Sequence, residues 1–127
     1  MRRARSSRGW AGRILLPSPD GLLVEWENGW RKIDRNVGLR GTVYAVMEDR
    51  QHSLWIGLAG RGLAQWRGYR EWETYSAASG LASDIVYEIR PETDGKLWVG
   101  TEGGLVRGER QGAGIRWKKV PALDGVL

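Results

Sequence analysis

The hydrophobic pattern of the chain is a series of short apolar segments separated by glycine-rich turns. Residues 42–48 and 54–58 are apolar at neighbouring positions, whereas a strand with one solvated face alternates apolar and polar side chains. Both segments are therefore predicted to be strands covered on both faces. Residues 69–75 alternate polar and aromatic side chains, which is typical of an outer edge strand.

This pattern recurs after 42 or 43 residues, and such a period is the signature of a repeat architecture. The segment Leu-Trp-Ile-Gly at 54–57 returns as Leu-Trp-Val-Gly at 97–100, and the Gly-Leu pair at 38–39 returns at 80–81. The positions that carry the repeat are Val43, Tyr44, Leu54, Trp55, Gly57, Gly62 and Leu63 in one copy and Val86, Tyr87, Leu97, Trp98, Gly100, Gly104 and Leu105 in the next.

An earlier, partial copy can be aligned by placing residues 13–16 on 54–57 and residues 23–26 on 63–66. The alignment puts three tryptophans at similar positions in successive outer strands, namely Trp30, Trp72 and Trp117. This first copy lacks an opening strand and is predicted to contain three strands.

Turn residues divide each full copy into four strands. Glycine accepts the positive φ that tight hairpins require, and Asn28-Gly29 and Asp94-Gly95 are typical hairpin turns. The predicted strands are 42–48, 54–58, 63–67 and 69–75 in one copy, and 85–90, 97–101, 105–107 and 115–120 in the next. No ten-residue stretch shows a helical period.

Four-stranded antiparallel sheets that are apolar on both faces and repeat along the chain are typical of the blades of a β-propeller, which closes with roughly 4 to 8 blades. The sequence therefore predicts an all-β chain that is a β-propeller fragment. The predicted divisions are a basic disordered tail at 1–12, a partial blade at 13–36, full blades at 38–76 and 80–120, and the start of a connection to a next blade at 121–127.

The net charge of +5 does not indicate a nucleic-acid surface. Five arginines, ending at Arg13, precede the first acidic residue, and the remaining 15 basic residues equal the 15 acidic ones. A nucleic-acid interface needs basic side chains gathered on one face of a folded unit. We therefore expect no nucleic-acid partner and a solvated basic tail.

The repeat resembles the two-component regulator propeller repeat. The resemblance rests on residues 80–107, with their Leu-Trp-Val-Gly-Thr block and trailing Gly-Gly-Leu, and on the looser copy at 38–65. His52 stands where the family usually has a turn glycine, and Leu58 where it has threonine. The resemblance implies a periplasmic or extracellular sensor propeller that is followed by a membrane helix and a histidine kinase or diguanylate cyclase domain, and some members respond to glycans.

The residues give little support for catalysis or for a cofactor. The chain has no cysteine and one histidine, His52, so a nucleophile–histidine arrangement or a histidine metal site lacks partners. The acidic pairs Glu25/Glu27, Glu71/Glu73 and Glu92/Asp94 are too close in sequence to flank a substrate bond and are expected to be solvated charge. We expect no enzyme activity, no metal and no cofactor.

The sequence therefore predicts a ligand-sensing or interaction segment of a signal-transduction receptor. Two alternatives remain open: a fragment of a propeller enzyme, such as a lyase or a glycan-active hydrolase, and a small lectin-like propeller that closes by oligomerising. The expected partners are further blades, from the parent protein or from other copies, and a glycan or another small ligand. The chain contains neither an apolar run of membrane-spanning length nor a signal-peptide pattern.

Overall fold

Three four-stranded antiparallel sheets follow one another along the chain in a computed structural model, which describes residues 7–9, 13–51, 53–68, 71–92, 95–112 and 114–121. Sheet 1 contains β1 (Ser7–Gly9), β2 (Arg13–Ser18), β3 (Gly21–Trp26) and β4 (Gly29–Ile33). Sheet 2 contains β5 (Val43–Glu48), β6 (Leu54–Leu58), β7 (Leu63–Gly68) and β8 (Glu71–Tyr75). Sheet 3 contains β9 (Val86–Pro91), β10 (Leu97–Thr101), β11 (Gly104–Gln111) and β12 (Gly114–Lys119).

Each strand pairs with the next one in sequence, so every sheet is a simple meander. The prediction of an all-β chain built from four-stranded antiparallel units is confirmed. The eight strands predicted in the two full copies are all present, with ends shifted by a few residues, and β11 is longer than predicted because it extends to Gln111.

The connections between sheets are short 3₁₀ turns, Arg35–Val37 and Ala77–Ser79. Asp34 and Ser76 cap these turns by accepting a backbone N–H with their side chains. Gly38 and Gly80 end the turns at φ values of +103° and +119°, which L-residues with a side chain rarely adopt. The repeated Gly-Leu pair is therefore the signature of the connection from one sheet to the next.

The predicted disorder of the basic tail is wrong for Ser7–Gly9. This segment forms β1, which pairs with β2 through Ser7↔Leu15, Arg8↔Ile14 and Gly9↔Arg13, so sheet 1 has four strands and not three. The composition is poor in apolar side chains, but strand pairing uses backbone N–H and C=O groups that every one of these residues carries. The rest of the predicted tail, and residues 122–127, lie outside the described residues.

The predicted hairpin between the last two strands of the first copy is present, but its turn lies one residue earlier. Trp26 pairs with Gly29, so the two loop residues are Glu27 and Asn28, and Glu27 takes a φ of +49°. Gly29 is the first residue of β4. The Asn-Gly signal therefore identified the turn correctly and misplaced its centre.

Two apolar clusters hold the sheets together, one between sheets 1 and 2 and the other between sheets 2 and 3. Leu15 belongs to the first cluster, facing sheet 2, and Trp55 belongs to the second, facing sheet 3. Leu15 is therefore the equivalent of Trp55, and the predicted alignment of the first copy, which placed Leu15 on Ile56, is wrong by one residue. Because side chains alternate along a strand, a slip of one residue moves each of them to the opposite face.

Each full copy has a Trp-x-Gly signature, Trp55 to Gly57 in sheet 2 and Trp98 to Gly100 in sheet 3. The glycine of this signature lets two sheets approach closely. A Cβ added at Gly57 would lie 2.6 Å from Cγ1 of Val86 on sheet 3 and 3.3 Å from Cβ of Ala45. The same addition at Gly100, the equivalent position in sheet 3, meets only Cβ of Glu88 at 3.6 Å, an ordinary contact. The two glycines differ because sheet 3 covers Gly57, whereas none of the residues that the structure describes covers Gly100 in this way.

We predict that Gly57→Ala destabilises the chain by about 1–3 kcal/mol, because the added methyl overpacks the contact between sheets 2 and 3. Gly100→Ala is the matched control, and its effect should stay within about 0.5 kcal/mol. Urea unfolding of both variants measures the difference. Equal effects of the two substitutions would contradict the close packing described for sheets 2 and 3.

Candidate functional site

A groove of about 650 Å³ runs between sheets 2 and 3 at the end where the β5–β6 and β9–β10 turns lie. Its lining includes Trp55 and a set of charged side chains from both sheets, namely Glu48, Asp49, Arg50, Glu92, Lys96 and Arg110. Concave sites between structural units are common places for ligands. We therefore take this groove as the candidate functional site.

Asp49 organises the turn on the sheet 2 side of the groove. Its Oδ1 accepts hydrogen bonds from the backbone N–H groups of Gln51 (2.9 Å) and Ser53 (3.0 Å), and its Oδ2 accepts one from Nε1 of Trp55 (2.9 Å). An indole N–H buried in a core needs such an acceptor. Asp49 is thus engaged by its own turn, and its carboxylate holds the signature tryptophan in position.

Glu92 takes the equivalent position on the sheet 3 side, 43 residues later. It accepts hydrogen bonds from Nε and Nη2 of Arg107 at 2.9 and 2.7 Å. The backbone closes both turns alike, because Asp49 N–H donates to Ser53 O and Glu92 N–H donates to Lys96 O. The hydrogen bonds from Arg107 lower the pKa of Glu92 from its usual value of 4.5.

The chemistry of the groove follows from these contacts. Two of the carboxylates that line it, Asp49 and Glu92, already accept hydrogen bonds from the protein. The basic groups at its edge are Arg50, Lys96 and Arg110, of which Lys96 lies 3.7 Å from Glu109. The arrangement presents mixed charge and hydrogen-bond donors to a polar molecule, which suits non-covalent binding.

The ion pair of Glu92 predicts a loss of stability in acid. The native carboxyl stays ionised to lower pH than the unfolded one, so the unfolded state binds more protons as pH falls below about 4.5. The stabilisation is present at neutral pH and is lost as pH falls through the lowered pKa. In Glu92→Gln, and likewise in Arg107→Gln, the unfolding midpoint in urea should depend less on pH across this range. A slope identical to that of the wild type in both variants would contradict the assignment.

A second feature lies on the first strands of sheets 2 and 3. Tyr44 and Tyr87 are each the extra residue of a β-bulge, because Val43 and Ala45 pair with Leu58 and Gly57, while Val86 and Glu88 pair with Thr101 and Gly100. Bulges re-aim side chains. The two tyrosine rings stack with centroids 5.6 Å apart, and the hydroxyl of Tyr87 donates to Oε2 of Glu102 at 3.3 Å.

The tyrosine pair is partly accessible to solvent. The Tyr87 side chain is 50% exposed, and Tyr44 covers one face of its ring. Desolvation, followed by the neighbouring Glu102 carboxylate, raises the pKa of Tyr87 above its usual value of 10.0. The bulge brings the signature tyrosines of two repeats together as one aromatic surface.

Seven of the repeat positions predicted from sequence lie at the sheet interfaces, namely Val43, Leu54, Trp55, Gly57, Leu63, Val86 and Leu97. Trp98, Gly100 and Leu105 lie on the opposite face of sheet 3, away from sheet 2. Trp55 and Leu97 also line the groove. Trp55 is 1% exposed, whereas Trp98 is partly buried beneath Arg107, whose Cζ lies 5.3 Å from the ring. Of the outer-strand tryptophans, Trp72 and Trp117 pack against the clusters and Trp30 is 53% exposed.

The acidic pairs do not form a site among the described residues. Glu73 lies 3.7 Å from Arg67, and Glu71 is exposed at the outer edge. Glu92 belongs to the groove, while Asp94 and His52 lie outside the described residues. No group of three metal-ligating side chains occurs within the described ranges. In the same ranges, no helix has the length and apolar character of a membrane crossing.

The roles of Asp49 and Glu92 were missed from the sequence. The available signal was an acidic residue six positions before each signature tryptophan. The match is not visible in residue identity, because one copy has Asp at this position and the other has Glu. Asp49 accepts from the indole N–H of Trp55, and the side chain of Trp98 contributes to the lowered pKa of Glu92.

No protein-family model matches the chain, and no curated protein matches it. Among solved structures, the chain is similar to the extracellular domain of a putative hybrid two-component system from B. thetaiotaomicron, with a TM-score of 0.79 and 16% sequence identity. The similarity covers 97% of this chain and 18% of that one. At this identity the likeness shows the fold alone, and the chain spans under a fifth of its neighbour's length.

Proposed function

We propose that the chain is a segment of a sensor β-propeller in a signal-transduction receptor and that it binds a ligand or partner without performing chemistry. The observation that supports this most is the repetition of one packing unit. Sheets 1 and 2 and sheets 2 and 3 meet through equivalent faces, and each connection ends on an equivalent left-handed glycine. Repetition of a four-stranded sheet about an axis is how propellers are built.

The likeness to the extracellular domain of a putative hybrid two-component system supports a sensor and an extracytoplasmic location. A propeller presents the turns of its blades at two ends, and ligands of repeat proteins bind where turns of neighbouring units meet. The groove between sheets 2 and 3 is such a place, and its edge carries Arg50 and Arg110. We assign ligand recognition to this groove and take a glycan as the ligand class to test first.

The proposal also states that the chain binds its ligand without catalysing a reaction on it. Acid–base catalysis on a glycan requires two carboxyl groups placed on either side of the bond that breaks. In the groove, Asp49 is held by its turn and by Trp55, and Glu92 is held by Arg107. Carboxylates used in this way support the architecture of the turns.

The test is calorimetric titration of the purified chain with soluble acidic and neutral oligosaccharides, followed by chromatography of the recovered sugar. We expect at least one sugar to bind and to be recovered intact, with binding weakened in Arg110→Ala, which removes a donor from the groove. The control is Glu71→Ala, an exposed position on the outer strand β8. Recovery of cleaved sugar would contradict the non-catalytic assignment, and failure of every sugar to bind would contradict the ligand class.

A further inference from the structure

Sheet 1 carries two arginines beside one tryptophan. Cζ of Arg13 lies 3.9 Å from the centroid of the Trp26 ring, and Cζ of Arg31 lies 5.3 Å from it. Both distances are within the roughly 6 Å of a cation–π contact. These three residues, named here the Arg–Trp–Arg group, therefore hold two guanidinium groups against a single indole.

Three neighbouring strands position the Arg–Trp–Arg group on the face of sheet 1 that is turned to sheet 2. Leu15 of β2 pairs with Val24 of β3, and Val24 pairs with Arg31 of β4. Leu15 and Val24 belong to the apolar cluster between sheets 1 and 2. Arg13 precedes Leu15 by two residues and Trp26 follows Val24 by two, and side chains two residues apart on a strand share a face. The group thus lies beside an interface that the chain itself forms.

Sheet 2 has an ion pair at the equivalent positions. By strand register, Arg67 of sheet 2 is the equivalent of Trp26. Glu73 is likewise the equivalent of Arg31. Nη2 of Arg67 lies 3.7 Å from Oε1 of Glu73, so the basic group of sheet 2 has an acidic partner.

Sheet 3 also pairs opposite charges at these positions. Lys96 is the equivalent of Arg13, and Glu109 is the equivalent of Trp26. Nζ of Lys96 lies 3.7 Å from Oε1 of Glu109. Sheet 1 departs from both later sheets, because it has two basic side chains at the three positions and no acidic one.

Both arginines of sheet 1 retain N–H groups for an anion. Nη1 of Arg13 donates to the backbone carbonyl of Glu25 at 2.9 Å, and neither Arg13 nor Arg31 forms an ion pair within the part of the chain that the structure describes. The carboxylate of Glu25 accepts a backbone N–H of β2 at 3.2 Å, and Glu27 is exposed in the adjoining turn. Arg31 is exposed and Arg13 is half-buried, so a dissolved anion can reach them.

We infer that the Arg–Trp–Arg group binds an oxyanion group of a ligand, such as a sulfate or a carboxylate. A guanidinium stacked on an aromatic ring can donate two parallel N–H groups from its edge to the oxygens of such an anion. The Trp26 ring orders both arginine side chains, which lowers the entropy that is lost when the anion binds. This site lies between sheets 1 and 2 and is separate from the groove between sheets 2 and 3.

Titration of the purified chain with sodium sulfate, at an ionic strength held constant with sodium chloride, tests the inference. NMR follows the Nε–H signals of the two arginines and the indole N–H signal of Trp26, and we expect these signals to shift and to saturate. Arg31→Gln should weaken binding at least about tenfold, because it removes a charged donor. Lys32→Gln is the matched control, since it removes one positive charge from the adjacent exposed position of β4, on the opposite face. Its affinity for sulfate should equal that of the wild type.

A parallel titration with sodium acetate shows whether a carboxylate binds more tightly or more weakly than a sulfate at the same signals. Thermal unfolding of both variants checks that they remain folded, as expected for two exposed positions. Shifts that do not saturate with either anion would overturn the inference. Equal weakening by Arg31→Gln and Lys32→Gln would also overturn it, because that result indicates a general attraction to a basic chain. Either failure would leave the sugar titrations of the groove unaffected, since Arg50 and Arg110 lie between other sheets.

Discussion

The structure depends on one constraint, which is that its sheets carry apolar side chains on both faces and must pack face to face to cover them. Strands such as β6 and β10 carry apolar side chains on both faces, so a sheet that turns one side to water exposes hydrophobic surface. The cluster between sheets 1 and 2 and the cluster between sheets 2 and 3 are two instances of the same solution. The arrangement of the chain as a row of sheets follows from this requirement.

The repeated residues that do not fill the core determine how the sheets meet. Gly57 has no side chain at the point where sheet 3 approaches sheet 2. Gly38 and Gly80 adopt the left-handed conformation that turns the backbone from one sheet toward the next. Asp49 fixes one turn and satisfies the indole N–H of Trp55, and Glu92 pairs with Arg107 at the equivalent turn of sheet 3. The candidate groove arises because two such turns from adjacent sheets lie side by side.

The sequence allowed the period, the strand content and the antiparallel pairing to be predicted, because these depend on local apolar patterns and turn residues. It did not reveal β1, since Ser7–Gly9 pairs through backbone groups that side-chain composition does not report. The predicted register of the first copy was wrong by one residue, which put Leu15 on the wrong face of its sheet. The first copy lacks the Trp-x-Gly signature that sets the register in the other two.

The candidate groove could not be predicted from sequence for a different reason. Its lining joins residues from two sheets that lie about 43 positions apart, and their spacing across the groove depends on how the sheets pack. The stacking of Tyr44 on Tyr87 likewise requires both bulges, which appear as register shifts in the pairing and leave no mark in composition.

The central claim is that consecutive sheets pack closely, face on face, and a double-mutant cycle on Gly57 and Val86 tests it most directly. Val86→Ala removes the Cγ1 atom that a Cβ at position 57 would strike. We predict that Gly57→Ala costs less in the Val86→Ala background than in the wild type, with a coupling of at least about 0.5 kcal/mol in the free energy of unfolding. Strictly additive effects of the two substitutions would show that these residues do not touch, and would contradict the account.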